Sequence, residues 1–420
     1  MLRPPTSLRL RSIDAAYRRA IETGPLWSYQ PEGEQLRRAS VATAQAAPIA
    51  ATRPAAGWRS VVVDGRCLQH PDFADRGIGR YTAGFLTSLA EAAPSVAITV
   101  VLDDSLPAVR AGALAASINT QYRADLDLAH NRDALHGAIV LDPAPMTHEP
   151  SFLDPAAIAT GARRMAIVYD FIPAEAPSVY LADAERVVAY TERLDRLARF
   201  DSLLCISQSV ANDCPTYLGR TRAAIDVLPL PAVAVASEQH PIAQLPADFV
   251  FAAVGADRRK NLPGAVAALA GLAQLGWGGD LVILSHMPDE HRRELNALAE
   301  ACRLDPTRVH VVAGLEDEEV AWLYAQARAV LVPSFSEGLS LPVLEAADAG
   351  CPVVASDIAP HRELLGASEP LCDPRRPSTF ARQLAHVLEH PAPTVHRQRS
   401  AIDRLRHERD VVSLAAQLVG

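Results

Sequence analysis

Two glutamates eight residues apart are the strongest candidates for chemistry in this sequence. The segment Pro333-Ser-Phe-Ser-Glu-Gly-Leu-Ser-Leu-Pro-Val-Leu-Glu345 follows a buried, strand-like run, AVLVPS. Proline is favoured in a first helical turn, so a helix is predicted to begin at about Leu341, with Glu337 in the preceding loop and Glu345 one turn inside. The N–H groups and positive dipole end of such a helix suit a phosphate. The two carboxylates can then hold hydroxyls at opposite ends of one ligand, although surface glutamates beside a capped helix have the same spacing.

A single lysine marks the second candidate. Lysine and arginine together number 40, and Lys260 is the only lysine among them. A coding bias explains the arginines but not this exception, because a compact ammonium differs from a planar guanidinium where a crowded phosphate must be reached. Arg258, Arg259 and Lys260 also precede a predicted helix, where cations are disfavoured unless an anion joins them. The pattern therefore favours a phosphate site over a solvated run of charges.

A third and weaker candidate combines Asp64-Gly-Arg with Arg76-Gly-Ile-Gly-Arg-Tyr81. Gly77 and Gly79 precede a helical pattern, and glycine permits the close approach of a ligand or of another backbone segment. A bare G-x-G is equally compatible with an ordinary tight turn.

Strand-like and helical patterns alternate from Ser60 onward, and the alternation restarts after a proline-rich passage near Pro229 to Pro246. This rhythm predicts an α/β protein with two Rossmann-like, doubly wound lobes, at 60–235 and 236–420. Open sheets bind ligands outside the carboxyl ends of their strands, so the active site is expected in the cleft between the lobes. Return of the last helix to the first lobe is an alternative to its inclusion in the second.

Residues 1–59 are predicted to be a basic N-terminal extension and linker. Its helical stretch, Ser7 to Thr23, carries an apolar stripe at spacings of three and four, beside several arginines. The stripe consists of Leu10, Ile13, Tyr17 and Ile21. Such a helix can lie in the interface of an anionic membrane. The alternatives are that it docks on the first lobe or stays disordered.

Composition excludes several classes of protein. A net charge of −9 argues against general nucleic-acid affinity. No apolar run reaches the roughly 18 residues that a spanning helix needs, and the start lacks the apolar core of a secretory signal. Six scattered cysteines indicate buried residues in a reducing compartment rather than disulfides or a zinc site. A cytoplasmic location is expected, with the inner face of the cytoplasmic membrane as a variant of it.

At these residues the sequence resembles glycosyltransferase family 4, group 1 glycosyltransferases of the GT-B fold. Pro333–Glu345 resembles the family's E-x7-E signature, and five further segments fall in the family's order, over roughly 60–390. They are Gly77-Ile-Gly-Arg-Tyr81, Val168-Tyr-Asp-Phe-Ile-Pro173, Asp201-Ser-Leu-Leu-Cys-Ile-Ser207, Arg259-Lys-Asn261 and Gly350-Cys-Pro-Val-Val-Ala-Ser356.

The resemblance implies that Lys260 contacts the diphosphate of a nucleotide-sugar donor, that Glu337 holds the transferring sugar and that Glu345 holds the ribose. Asp170 joins Lys260 and Glu337 as a catalytic residue. The other donor-binding residues that it implies are Arg258, Arg259, Gly338, Leu339, Ser340, Leu341, Gly77, Gly79 and Tyr169. Such enzymes retain anomeric configuration without a protein nucleophile, so the site would act by positioning and by stabilising the departing diphosphate.

This sequence departs from the family pattern at three places. Tyr169 precedes Asp170 where the family often has histidine, and a tyrosine hydroxyl can bond a sugar but is a poor base near neutrality. Ser340 replaces the second glycine of E-G-F-G-L. Ala256 stands where many members have arginine, so Arg258 or Arg259 would supply the second cation.

No cofactor or metal is expected beyond the nucleoside-diphosphate sugar itself. Asp125-Leu-Asp127 has the D-x-D spacing of another glycosyltransferase fold, but it lies in a polar helical pattern that predicts a solvated face.

The resemblance favours transfer of a hexose, with GDP-mannose as the best guess, to a saccharide or lipid-linked saccharide in surface-polysaccharide synthesis. Alternatives are a glycogen-synthase-like glucan transferase and a catalytically silent sugar-binding partner in a polysaccharide-assembly complex.

Overall fold

The computed structural model describes residues 6–24, 26–29, 60–75, 77–123, 135, 137–147, 150–231, 238–366 and 369–412. The chain divides into two compact units. The N-unit contains Pro31–Ala232 and Arg406–Gly420, and the C-unit contains Val233–Leu405 together with Met1–Gln30. The predicted linker between Arg37 and Ala56 and the pair Asp125 and Asp127 lie outside the described residues.

The N-unit is built on a seven-stranded parallel sheet with strand order β3-β2-β1-β4-β5-β6-β7. Val62 of the central strand lies opposite Thr99 on one side and Val140 on the other. The strands are β1 (Ser60–Asp64), β2 (Ala97–Leu102), β3 (Asn119–Tyr122), β4 (Ile139–Asp142), β5 (Arg163–Val168), β6 (Ser202–Cys205) and β7 (Ala224–Val227). Helices cover both faces of such a sheet, so its inner strands are continuous apolar runs.

The helices of the N-unit follow the strands along the chain. They are α2 (Gly77–Ala92), α3 (Asp154–Thr160), α4 (Ile172–Glu175), α5 (Pro177–Tyr180), α6 (Ala184–Leu197) and α7 (Gln208–Leu218). Ser207 caps α7 by accepting a hydrogen bond from the Val210 N–H, and Asp183 caps α6 in the same way through Arg186.

The C-unit repeats this plan with a five-stranded parallel sheet of order β10-β9-β8-β11-β12. Its strands are β8 (Phe249–Ala252), β9 (Asp280–Leu284), β10 (Val309–Val312), β11 (Ala329–Val332) and β12 (Val353–Ala355). Its helices are α8 (Leu262–Gln274), α9 (Asp289–Ala301), α10 (Asp317–Gln326), α11 (Leu341–Ala349), α12 (Ala359–Leu365), α13 (Pro377–Glu389) and α14 (Pro391–Glu408), the last of which ends in the N-unit's share of the chain. The prediction of an α/β protein with two doubly wound sheets is confirmed.

The N-terminal helix α1 (Thr6–Thr23) packs against α8, α9 and α13 of the C-unit. All four residues of its apolar stripe are buried in the C-unit core: Leu10, Ile13, Tyr17 and Ile21. The expectation of a separate extension is therefore wrong for this helix, and so is docking on the first lobe. Because the stripe is buried within the protein, it is not free to enter a membrane interface.

Helix α8 explains why α1 is needed. Its sequence LPGAVAALAGLAQ is apolar all round, and it is buried from Leu262 to Leu272. A helix of this kind must be covered on every side. A Cβ at Gly271 would lie 2.6 Å from the Cβ of Ala381 and 3.4 Å from Leu10, so the glycine lets α1 and α13 approach closely.

Within the described part of the chain, no helix combines the length and apolar character required to cross a lipid bilayer.

Candidate functional site

The topology of the C-unit sheet brings two loops together. The strand order reverses between β8 and β11, and ligands of doubly wound sheets bind at the carboxyl ends of the strands beside this switch point. The loop after β8 contains a short 3-10 turn, Arg258–Lys260, and leads into α8. The loop after β11 contains Glu337 and leads into α11. Both charged segments that the sequence marks as candidates are therefore at one edge of one sheet.

Glu337 is the centre of the resulting cluster. The Lys260 ammonium donates to both carboxylate oxygens, at 2.6 Å to Oε1 and 2.9 Å to Oε2. Arg259 Nη1 donates to Oε2 at 2.6 Å, and the Ser334 hydroxyl donates to Oε1 at 2.7 Å. Arg259 also reaches the Ser336 carbonyl oxygen at 3.1 Å. The anions that join the cations beside the α8 N-terminus are thus, within the protein, the Glu337 carboxylate and Asp257, whose Oδ2 lies 3.5 Å from Arg259 Nε.

Burial and charge act in opposite directions on Glu337. Burial raises the pKa of this carboxyl. Lys260 and Arg259 together lower the pKa by more than burial raises it, so the net pKa lies far below the ordinary range. Burial and the neighbouring Arg259 lower the pKa of Lys260, while Glu337 raises it, and the net direction is downward. Glu337 is therefore ionised near neutral pH. The Arg258–Lys260 turn carries three cations against two carboxylates, Asp257 and Glu337, so this segment of the site has an excess of one positive charge.

Ser340 holds an unusual backbone conformation at the start of α11. Its φ is +86°, in the left-handed region that favours glycine. Its hydroxyl lies 3.1 Å from His361 Nε2, and His361 Nδ1 lies 2.9 Å from the Ser356 carbonyl oxygen. Nδ1 therefore carries the proton and Nε2 accepts from Ser340. Burial lowers the pKa of His361 to about 4, so the ring is neutral at physiological pH and anchors the strained serine.

Glu345 lies in α11 and is buried, with 7% of its surface exposed. The Tyr324 hydroxyl of α10 donates to Glu345 Oε2 at 2.6 Å. Gly338 and Leu339 are buried in the loop before α11, and Leu341 is the first residue of the helix. Arg258, by contrast, is not part of the Glu337 cluster as the structure describes it.

The predicted first-lobe residues all lie in the N-unit. The Tyr169 hydroxyl is bonded to Thr82 Oγ1 at 2.9 Å and donates to the Ile78 carbonyl oxygen at 3.1 Å. Tyr169 is thus engaged with α2 through its hydroxyl, and its contact with a sugar stays a prediction. Asp170 accepts from the Ile172 N–H at 3.0 Å and lines a cavity.

Gly77 and Gly79 belong to the first turn of α2 rather than to a loop before it. A Cβ at Gly79 would collide with the backbone of Ala74. The absence of a side chain at Gly79 thus lets the Ala74 backbone approach closely, and a ligand contact at this residue stays a prediction. Gly77 is exposed at the helix start.

The N-unit has its own charged cluster at its switch point, where β1 and β4 end. Asp64 Oδ2 accepts from Arg66 Nη2 at 2.7 Å and from the Ser151 hydroxyl at 2.8 Å. Asp142 accepts from the Ala144 N–H at 3.0 Å. Burial and the neighbouring Asp64 carboxylate raise the pKa of Asp142 to about 7. Here two carboxylates share one cation.

A cavity of about 770 Å³ lies in the N-unit beside these strand ends. The carboxyl end of β5 lines it with Tyr169 and Asp170, which follow the strand. One face of α6 lines it with Arg186, Tyr190 and Arg193. Tyr190 is buried, and within the described residues its hydroxyl has no hydrogen-bond partner. Arg193 donates to the Met146 carbonyl oxygen at 3.1 Å.

Sequence reasoning missed the residues that support the predicted ones. Ser334, Tyr324 and His361 bond Glu337, Glu345 and Ser340, respectively. Ser334 and His361 stand within strand and helix patterns that the sequence predicts, but no local pattern tells which distant side chain they contact.

In the described ranges, no group of three or more His, Cys, Asp and Glu side chains could hold a metal ion. All six cysteines are buried free thiols.

Comparison with known proteins agrees with this architecture. Residues 248–390 match the model of the family described as glycosyl transferases group 1. The structure of HepE from Anabaena in complex with UDP and glucose superposes with a TM-score of 0.58, at 14% identity, over 86% of this chain and 98% of that chain. At this identity the likeness shows the fold alone, and that fold is GT-B.

Two curated relatives are mannosyltransferases of Escherichia coli. The serotype-specific mannosyltransferase WbdA is 25% identical over 241 residues, which is 54% of this chain and 29% of the relative. The O-antigen chain mannosyltransferase B is 40% identical over 73 residues, or 17% of this chain and 18% of the relative. The chain thus matches about three tenths of WbdA. The family match thus shows a group 1 glycosyltransferase domain over residues 248–390, and the two parallel sheets have the GT-B fold.

Proposed function

We propose that this chain transfers a hexose from a nucleoside-diphosphate sugar to a saccharide acceptor. The observation that carries the proposal is the Glu337 cluster, in which Lys260 and Arg259 converge on one carboxylate beside the N-terminus of α11. Excess positive charge and helix-terminal N–H groups at a switch point together suit a diphosphate. The loss of a diphosphate leaving group is also the step that such charge would accelerate.

Each residue of the cluster has a proposed part in the reaction. An ammonium has three protons, and Lys260 directs two hydrogen bonds at Glu337, which leaves one for a phosphate oxygen. Glu337 would hold the transferring sugar and Glu345 the ribose. Arg259 would supply the second cation, while the amides of Gly338, Leu339 and Ser340 face the sugar and phosphates.

The acceptor would bind in the N-unit, in the cavity beside Asp170 and Tyr190. A buried hydroxyl without a partner and a half-buried carboxylate are groups that sugar hydroxyls satisfy. We propose Asp170 as the group nearest the reacting hydroxyl of the acceptor. In this proposal the acceptor oxygen enters on the face of the sugar that the diphosphate leaves, without a protein nucleophile, so the transfer would retain anomeric configuration.

Mannose is the proposed sugar and GDP-mannose the proposed donor, since several curated relatives are mannosyltransferases. The acceptor is proposed to be a growing surface polysaccharide, either free or linked to a lipid. UDP-glucose is the main competing donor, since HepE, with the same fold, binds UDP and glucose.

The test is a binding and turnover screen with the purified full chain. GDP, UDP and ADP are compared by thermal shift, and the matching sugar nucleotides are then assayed for release of nucleoside diphosphate with and without oligomannoside acceptors. GDP should raise the melting temperature most, because a ligand that binds only the folded state stabilises it by mass action. GDP-mannose should release GDP faster when acceptor is present.

Two variants make the screen specific to the site. Lys260→Ala should strongly reduce the thermal shift, whereas Arg328→Ala should keep it. Arg328 is a half-exposed cation paired with Asp248 at the opposite, amino-terminal end of β11. A protein that binds nucleoside diphosphate but never transfers or hydrolyses the sugar would be the silent partner instead. A shift that survives Lys260→Ala would contradict the proposed phosphate site.

A further inference from the structure

The N-terminal helix makes a specific polar contact with the donor-site loops, in addition to its apolar packing. The Tyr17 ring is fully buried, and its hydroxyl lies 2.9 Å from Asn261 Oδ1 and 3.1 Å from the Pro374 carbonyl oxygen. Asn261 is the residue directly after Lys260. A residue more than two hundred positions upstream therefore contacts the phosphate-site segment itself.

Asn261 joins four segments of the C-unit through one side chain. Its Oδ1 accepts from Tyr17 and from the Gly264 N–H at 3.1 Å, and its Nδ2 donates to the carbonyl oxygens of Pro333 at 2.9 Å and Pro374 at 3.0 Å. An amide has two acceptor and two donor positions, so this side chain is fully satisfied. Its backbone has φ of +57°, in the left-handed region that asparagine tolerates better than most other non-glycine residues.

The same side chain therefore connects both loops that form the Glu337 cluster. Lys260 precedes it in sequence, and Pro333, which its amide holds, begins the segment that contains Ser334 and Glu337. Movement of Asn261 would change the distance between the cations and the carboxylate. Tyr17 supplies one of the four bonds that prevent this movement.

A second aromatic residue of the N-terminal segment supports the same two loops. The Tyr29 ring stacks on Phe335, with centroids 5.3 Å apart and planes inclined by 13°. The Phe335 N–H in turn donates to the Arg259 carbonyl oxygen at 2.7 Å. Asp14 fixes the position of α1 by accepting from the N–H and hydroxyl of Ser378 at the start of α13, at 2.9 and 2.6 Å.

We propose that Tyr17 is a positioning residue for the donor site, acting through Asn261 on Lys260 and on the loop that carries Glu337. The inference rests on the proposed function, because it assigns α1 to the machinery that binds the nucleoside diphosphate. Tyr17 does not touch the ligand. Its hydroxyl fixes the geometry in which the lysine and the glutamate meet a phosphate.

The test compares two variants of α1 in the full chain. Tyr17→Phe removes only the hydroxyl and leaves the apolar packing in place. Ile13→Val removes one buried methyl group from the same helix. The Ile13 side chain is apolar and packs in the C-unit core. The dissociation constant of GDP, kcat, KM for the donor and the melting temperature are measured for each.

Tyr17→Phe should weaken GDP binding by about tenfold, the effect of one lost buried hydrogen bond transmitted to the site. Ile13→Val should lower the melting temperature by about as much as Tyr17→Phe does. It should leave the dissociation constant of GDP and the KM for the donor within about twofold of the wild-type values, roughly the scatter of such measurements. In a Lys260→Ala background, Tyr17→Phe should have less than about a twofold further effect, because the cation that it positions is gone.

Equal dissociation constants for Tyr17→Phe and Ile13→Val, in a wild-type protein that binds GDP or another nucleoside diphosphate, would overturn the inference and leave the proposed function intact. An undiminished effect of Tyr17→Phe in the Lys260→Ala background would overturn it too. A wild-type protein that binds no nucleoside diphosphate would overturn the proposed function and, with it, this inference.

Discussion

The two sheets of this protein share one topology and carry opposite charges at the equivalent position. In both, strand order reverses beside the first strand of the unit, and charged side chains follow the strands there. In the C-unit, the three cations of the Arg258–Lys260 turn stand against two carboxylates, Asp257 and Glu337. In the N-unit, Asp64 and Asp142 share the single cation Arg66, and the pKa of Asp142 rises as a result of burial and of its neighbour.

This difference indicates which ligand each unit can bind. A cluster with more cations than anions is stabilised when a diphosphate enters it, and the C-unit is therefore the donor side in our proposal. A cluster with more carboxylates than cations repels phosphates but accepts hydroxyl groups through hydrogen bonds. In our proposal, the N-unit therefore binds a neutral saccharide. The topology of each sheet determines where its site lies, and the net charge of the site determines which ligand we expect it to bind.

The largest effect is expected when a cation of the C-unit site is removed. Lys260→Ala should lower turnover by about a hundredfold or more, because a phosphate contact strengthens as the leaving group departs. Lys260→Arg should rescue only part of the activity, since a guanidinium has a different shape and hydration. Steady-state kinetics at saturating donor measure both, and near-full turnover of the alanine variant would show that the phosphate assignment is wrong.

Lys260→Ala is also expected to destabilise the folded protein. Lys260 pairs with a buried carboxylate, so its removal leaves Glu337 with Arg259 and Ser334 as partners. We expect a loss on the order of 1–3 kcal/mol in the free energy of unfolding. Thermal unfolding of the variant therefore accompanies the kinetics, so that loss of activity can be separated from loss of fold.

A smaller effect should distinguish the two glutamates of the C-unit. Glu345→Ala should weaken binding of the bare nucleoside diphosphate by about tenfold, because the ribose is common to donor and product. Glu337→Ala should abolish transfer while sparing that binding, because the sugar is absent from the bare diphosphate. Calorimetric titration of both variants provides the measurement, and equal losses of affinity would contradict this division of roles.

Much of the fold could be predicted because parallel strands buried on both faces are continuous apolar runs. Of the twelve strands within the described residues, eleven coincide with such runs in the sequence. The exception is β3, whose residues Asn119–Tyr122 are polar and exposed, so no hydrophobic pattern marks it. It is a strand only because it pairs with the edge of β2.

The candidate site was predicted less completely, for two physical reasons. The sequence identified Lys260 and Glu337 separately, but a pairing across 77 positions depends on the strand order, which local patterns do not contain. The apolar stripe of α1 showed that one face must be covered without showing by what. The helix that covers it, α8, is apolar all round, and that feature was a usable signal for a partner beyond its own sheet.

The smallest effect is expected when one of the two carboxylates of the N-unit cluster is neutralised. Asp142→Asn should stabilise the N-unit at pH 8, because an amide keeps an acceptor for the Ala144 N–H and removes the repulsion from Asp64. The gain should be about 2 kcal/mol, less than the full pKa shift implies because the two carboxyls titrate together. Asp195→Asn, an exposed aspartate of α6, is the matched control and should have no effect.

The pH dependence of this gain follows from the direction of the shift. A carboxyl whose pKa is higher in the folded state contributes stability below its unfolded pKa of about 3.9, and this contribution is lost as the pH rises through about 7. The advantage of Asp142→Asn should therefore vanish near pH 4 and grow toward pH 8. Hydrogen exchange of the β1 and β4 amides reports on the N-unit alone. A variant that destabilises the N-unit at pH 8 would show that the second carboxylate is stabilising there, and the contrast in charge between the two sites would then need another cause.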